Sequence, residues 1–109
     1  MNIFYQLLKE IEQRPGVYLG KPSLLRLKHY IQGYSICLAK HGLGEEENFA
    51  FGFYPFVKQK YDALESQSWY GIIKNQCEGD EEKAFYKFFE LFDEYLIAND
   101  LKDLLSASE

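Results

Sequence analysis

One stretch limits what this chain can fold into more than any other. Phe85, Phe88, Phe89, Phe92, Tyr95 and Leu96 repeat at steps of three and four, so a helix gathers them on one wide apolar face. Asp80 has the side chain of a helix N-cap, and Glu81 and Glu82 complement the dipole of the first turn. The pattern predicts the strongest helix of the chain, from Asp80 to a break at Asn99-Asp100, with Leu101, Leu104 and Leu105 adding a last turn or two. Nine Phe, nine Tyr and one Trp make up 17% of the 109 residues. Rings that a small core does not hold are expected on its surface as contact area.

The preceding segments carry the same period. Ile3, Phe4, Leu7, Leu8 and Ile11 predict a helix over 2–13, stopped at Arg14-Pro15-Gly16 because proline disfavours helical geometry in the residue before it. Val17-Tyr18-Leu19 reads as a short extended piece. Leu24, Leu27, Ile31, Tyr34 and Leu38 predict a long helix over 23–40, with Gly33 inside it where another helix is expected to cross closely. His41-Gly42-Leu43-Gly44 ends that helix, and Glu45-Glu46-Glu47-Asn48 reads as a solvated loop. Phe49, Phe51 and Phe53 alternate as in a strand, but Gly52 and Pro55 interrupt them. A loop running into a helix is the better reading, with Pro55 in its first turn and Phe53, Phe56, Val57, Lys60, Tyr61 and Leu64 at helical spacing. Ser66 or Ser68 then caps a helix bearing Trp69, Ile72, Ile73 and Gln76, which Gly79 ends.

With no second convincing strand and no repeat or low-complexity segment, the predicted fold is all-α. It is a single-domain bundle of five to six helices over residues 1–109, with an aromatic-rich core. A hydrophobic fraction of 47% with 27% charged residues argues against a disordered or membrane-embedded chain. No apolar run approaches the roughly 20 residues that cross a bilayer, and the segment after Met1 lacks the secretory pattern. A cytoplasmic location without membrane binding is expected. Cys37 and Cys77 are accordingly expected as reduced, buried small hydrophobes.

Charge narrows the partners. Twelve basic and seventeen acidic residues leave −5, which disfavours direct binding to nucleic acid or anionic lipid and suits a basic protein. Residues 1–44 hold six basic and two acidic residues (+4), whereas residues 45–109 hold six basic and fifteen acidic (−9). Lys21, Arg26 and Lys28, interleaved with Leu24, Leu25, Leu27 and Tyr30, come closest to a nucleic-acid patch and are too few for one.

The common catalytic signatures are missing: no Gly-rich phosphate loop, no Gly-x-Ser-x-Gly elbow, no His-Glu-x-x-His pair. Cys37 and His41 lie four apart on one helix, and His29 and Cys77 complete a set of four zinc-type ligands. That set is spread from 29 to 77 without a tight Cys pair, so no metal and no cofactor is expected. Glu78, Asp80, Glu81, Glu82, Glu90, Asp93 and Glu94 offer acid–base pairs, but such abundance fits a solvated helix face better than a catalytic dyad. The chain is expected not to be an enzyme, and a small metal- or carboxylate-dependent enzyme stands as the rival class. What remains is surplus acid and aromatic surface. Glu45, Glu46 and Glu47, Asp80, Glu81 and Glu82 supply the charge for a cationic partner, and Tyr70 and Tyr86 are candidate anchors.

Residues 14–34 run Arg-Pro-Gly-Val-Tyr-Leu-Gly-Lys-Pro-Ser-Leu-Leu-Arg-Leu-Lys-His-Tyr-Ile-Gln-Gly-Tyr. Downstream come Ser68-Trp69-Tyr70-Gly71-Ile72-Ile73 and the phenylalanine-rich segment 84–96. This order resembles small helical bacterial immunity proteins of contact-dependent growth inhibition and polymorphic toxin loci. The Arg14 to Gly20 turn is the most distinctive part, and the likeness covers most of the chain. The resemblance implies a non-enzymatic protein that binds and neutralises a toxin domain delivered by a neighbouring cell. Many such toxins are nucleases with basic active sites, so acidic side chains imitate the substrate's charge. The expected function is therefore inhibition of a cognate toxin domain, an RNase before a DNase, by occlusion of its active site. A regulatory helical adaptor for another protein is the alternative.

Overall fold

In a computed structural model describing residues 3–42, 48–63 and 67–100, the chain forms α1 (Ile3–Gln13), α2 (Pro15–Leu19), α3 (Leu24–Lys40), α4 (Asn48–Lys60), α5 (Trp69–Gln76) and α6 (Glu81–Ala98). No strand occurs among the described residues, and the all-α bundle is as the periodicity predicts. No helix among them is long and apolar enough to cross a membrane. Leu101, Leu104 and Leu105 lie outside the described residues, as does Leu64.

The bundle is organised about α6. Its buried face holds Ala84, Phe85, Phe88, Phe89, Leu91, Phe92, Tyr95 and Leu96, too wide for one neighbour to cover. Four helices share it. Phe53 of α4 meets Phe88, Phe92 and Tyr95 with ring centroids 5.2, 6.4 and 5.8 Å away, each close to edge-on. Trp69 of α5 lies 5.3 Å from Phe88, and Tyr5 of α1 is edge-on to Phe92 at 5.4 Å. Leu24, Leu27 and Ile31 of α3 complete the core. Each such side chain contributes about 1.5–3 kcal/mol on full burial, so the aromatic face dominates the stability of the fold.

The expected extended piece at Val17 is instead the single helical turn α2. Pro15 fits the first helical position because its missing N–H has no partner there anyway, and Arg14 before it takes a non-helical φ of −136°. The turn closes through the Gly20 N–H donating to the Gly16 carbonyl at 3.2 Å, with Gly20 in the left-handed region at φ 85°. Arg26 Nη1 then donates to the Leu19 carbonyl at 2.7 Å, clamping α2 onto α3. Ser23 caps α3 by accepting the Arg26 N–H at 3.3 Å.

Two expectations for α3 are corrected. Among the described residues no neighbour approaches within 4 Å of where a Gly33 Cβ would lie, so none of the described helices crosses there. Cys37 is exposed, because six positions beyond Ile31 the helix has turned it away from the Leu24, Leu27, Ile31 stripe, and Cys77, at the C-terminal cap of α5, is only half-buried. The close approach occurs at Gly52 of α4 instead, where a Cβ would overlap the Tyr95 hydroxyl.

The α4 helix starts at Asn48, and Pro55 lies inside it rather than in a first turn. The proline costs one backbone hydrogen bond, a loss offset by complete burial of Phe53 and Val57 on either side. Ser68 caps α5 by accepting the Gly71 N–H at 3.1 Å, and Gln76 is exposed rather than core-facing. Tyr5, which lies outside the predicted stripe, is buried beside Tyr95. Burial and the neighbouring Tyr95 hydroxyl push its phenol above the ordinary range.

Candidate functional site

Tyr70, Asp80, Glu81, Glu82 and Tyr86 fall on α5, the turn after it and the first turns of α6, while Glu45, Glu46 and Glu47 lie outside the described residues. The five play two different parts. Glu81 joins three helices: one carboxylate oxygen, Oε1, accepts the Leu25 N–H at 2.8 Å, and Oε2 accepts the Tyr70 hydroxyl at 2.6 Å, with Lys74 Nζ at 3.3 Å. It thereby supplies an N-terminal cap to α3 from another helix, beside the cap of Ser23. Burial works against its charge. Hydrogen bonds from Tyr70, the Leu25 N–H and Lys74 outweigh that and hold the carboxyl below its usual value.

Tyr70 is equally committed. Lys28 Nζ stands 4.9 Å and Lys74 Nζ 5.6 Å from its ring centroid, its hydroxyl is spent on Glu81, and its ring packs against the core. Burial and the bond to Glu81 raise its phenol, and Lys74 partly opposes them. Tyr70 and Glu81 thus brace this end of the molecule. Asp80 Oδ1 accepts the N–H groups of Glu82 and Lys83, both at 3.0 Å, and caps α6.

The remaining surface is outward-facing. Tyr86 is 45% exposed, with its ring edge-on to Phe85 at 5.0 Å. Glu82 and Glu78 are exposed, and among the described residues neither they nor Asp80 form an ion pair. Other acids of α6 are matched: Asp93 with Lys9 at 2.9 Å, Glu94 with Lys60 at 2.6 Å and Glu90 with Lys87 at 3.8 Å. The carboxylates of the described surface that form no ion pair therefore include a cluster at the α5–α6 turn, with Tyr86 one helical turn beyond Glu82. A cleft of about 420 Å³ flanks it, with Lys21 and Arg26 on one wall and Asp80, Glu81 and Glu82 on the other. Its lining therefore mixes both signs of charge.

Glu78 is set apart from the paired acids of α6 by its position in the turn, at φ 56°. The bracing of Tyr70 was half legible: Tyr70 and Lys74 are four apart on one helix, but Lys28 and Glu81 reach them from other elements.

Among the described residues, no group of three His, Cys, Asp or Glu side chains is arranged to hold a metal ion. Burial pushes the Cys77 thiol up, which keeps it protonated near neutral pH. His41 follows the last turn of α3, its N–H donating to the Leu38 carbonyl at 3.0 Å. Compared with known proteins, the chain matches no family model, no curated protein and no solved structure.

Proposed function

We propose that this protein is an immunity-type inhibitor that binds a basic toxin domain, an RNase by preference, and blocks it with acidic surface. The observation that carries the reading is that Glu78, Asp80 and Glu82, beside the exposed Tyr86, form no ion pair among the described residues. Carboxylates without an ion-pair partner attract a cationic cleft on diffusion, and a half-exposed tyrosine supplies rigid amphipathic contact area at low entropic cost. Glu78, Glu82 and Tyr86 are the contact residues of this reading, Asp80 adds charge while capping α6, and Tyr70 with Glu81 holds their support in place. The Arg14 to Gly20 motif supports the reading at the level of scaffold, since it is spent on α2 and the Arg26 clamp.

The test is co-expression with the C-terminal domain encoded immediately upstream, followed by affinity purification and an assay of cellular RNA and DNA. A stable complex, with RNA degraded only when this chain is missing, is the expected result. A toxic domain that neither binds this chain nor is neutralised by it overturns the proposal, and so does an upstream domain without toxicity.

A further inference from the structure

We draw no further inference here: the strongest candidate, the outward face of α3 where Gly33, Ile36 and Cys37 lie exposed within two turns, is an unpartnered face of small and apolar residues, and nothing in the structure shows what covers it.

Discussion

The Glu81 carboxylate, in the first turn of α6, accepts the backbone N–H of Leu25 in the first turn of α3 at 2.8 Å. Two helix N-termini thus meet at one side chain, which also receives Tyr70 and Lys74. A charge-assisted hydrogen bond is worth about 1.5–3 kcal/mol when buried, and partial solvent exposure reduces that. Glu81→Ala is expected to lower stability by about 1–2 kcal/mol in urea denaturation with an unchanged m value. Tyr70→Phe, which removes one of the donors, should cost less than Glu81→Ala. Because the two act on one bond, the double variant should fall short of the sum of the singles.

The same network sets a pH dependence. The Glu81 carboxyl is held below its ordinary value of 4.5 in the folded chain, so the unfolded chain takes up the proton first as pH falls. Its contribution is then fully present above about 4.5 and is lost as pH drops through the lower folded value. Stability measured by urea titration at a series of acid pH values should decline more steeply below pH ~4.5 for the native sequence than for Glu81→Gln. Parallel slopes for the two proteins would remove Glu81 from the acid-sensitive set.

Glycine substitutions should move stability in opposite directions. Gly33 lies in the interior of α3 with none of the described residues within 4 Å of a new Cβ, so Gly33→Ala is expected to stabilise by about 0.5–1 kcal/mol through helix propensity and a less free unfolded chain. Gly20 is at φ 85°, and a Cβ there would lie 2.7 Å from Arg26 Nη1. Gly20→Ala should therefore cost about 1–3 kcal/mol, from left-handed strain and from displacement of the guanidinium that clamps Leu19. Thermal melts of the two variants decide the matter, with opposite shifts in Tm.

The outline of the bundle was legible because hydrophobic period and capping residues are local signals. Asp80 announced one helix start and Ser66 or Ser68 another, with Ser68 the one that caps, and the step of Phe85, Phe88, Phe89 and Phe92 announced the central face. What escaped the sequence depends on partners distant along the chain. Gly33 was expected inside a helix and Gly52 in a loop; both lie in helices, yet of the two only Gly52 faces a ring, because Tyr95 is brought to it by the α4–α6 packing. Glu81 and Glu82 are adjacent acids of one first turn. Only tertiary structure turns the first toward Leu25 and leaves the second in solvent. The one-turn α2 was hidden in a five-residue segment, too short for periodicity to register.

The Gly52 contact is testable by a size exchange. Gly52→Ala places a methyl group against the Tyr95 hydroxyl in a packed core, and overpacking of this kind costs about 1–3 kcal/mol. Tyr95→Phe removes the hydroxyl that collides, together with its interaction with Tyr5. The double variant should therefore be more stable than the two losses added together, read by urea denaturation as a favourable coupling of about 0.5 kcal/mol or more. Simple additivity would place the Gly52 methyl elsewhere.

The proposed contact surface and its brace separate cleanly by experiment. Glu82 and Tyr86 face solvent, so Glu82→Lys, which puts a cation in the first turn of α6, and Tyr86→Ala are each expected to cost no more than about 1 kcal/mol. Under the inhibitor reading, Glu82→Lys combined with Glu78→Lys should lower the association rate for the toxin domain at least tenfold at low salt, with the deficit shrinking as salt rises, because steering between exposed charges is screened. Tyr86→Ala should act mainly on dissociation, since an aromatic anchor is gained only after docking. Tyr70→Phe should do the reverse of all three: a measurable loss of stability, with association unchanged when measured well below its melting point, because its hydroxyl is already engaged by Glu81. Surface binding kinetics at two salt concentrations, paired with denaturation curves, read both quantities. Full-rate association by the doubly reversed protein would rule out the electrostatic mechanism.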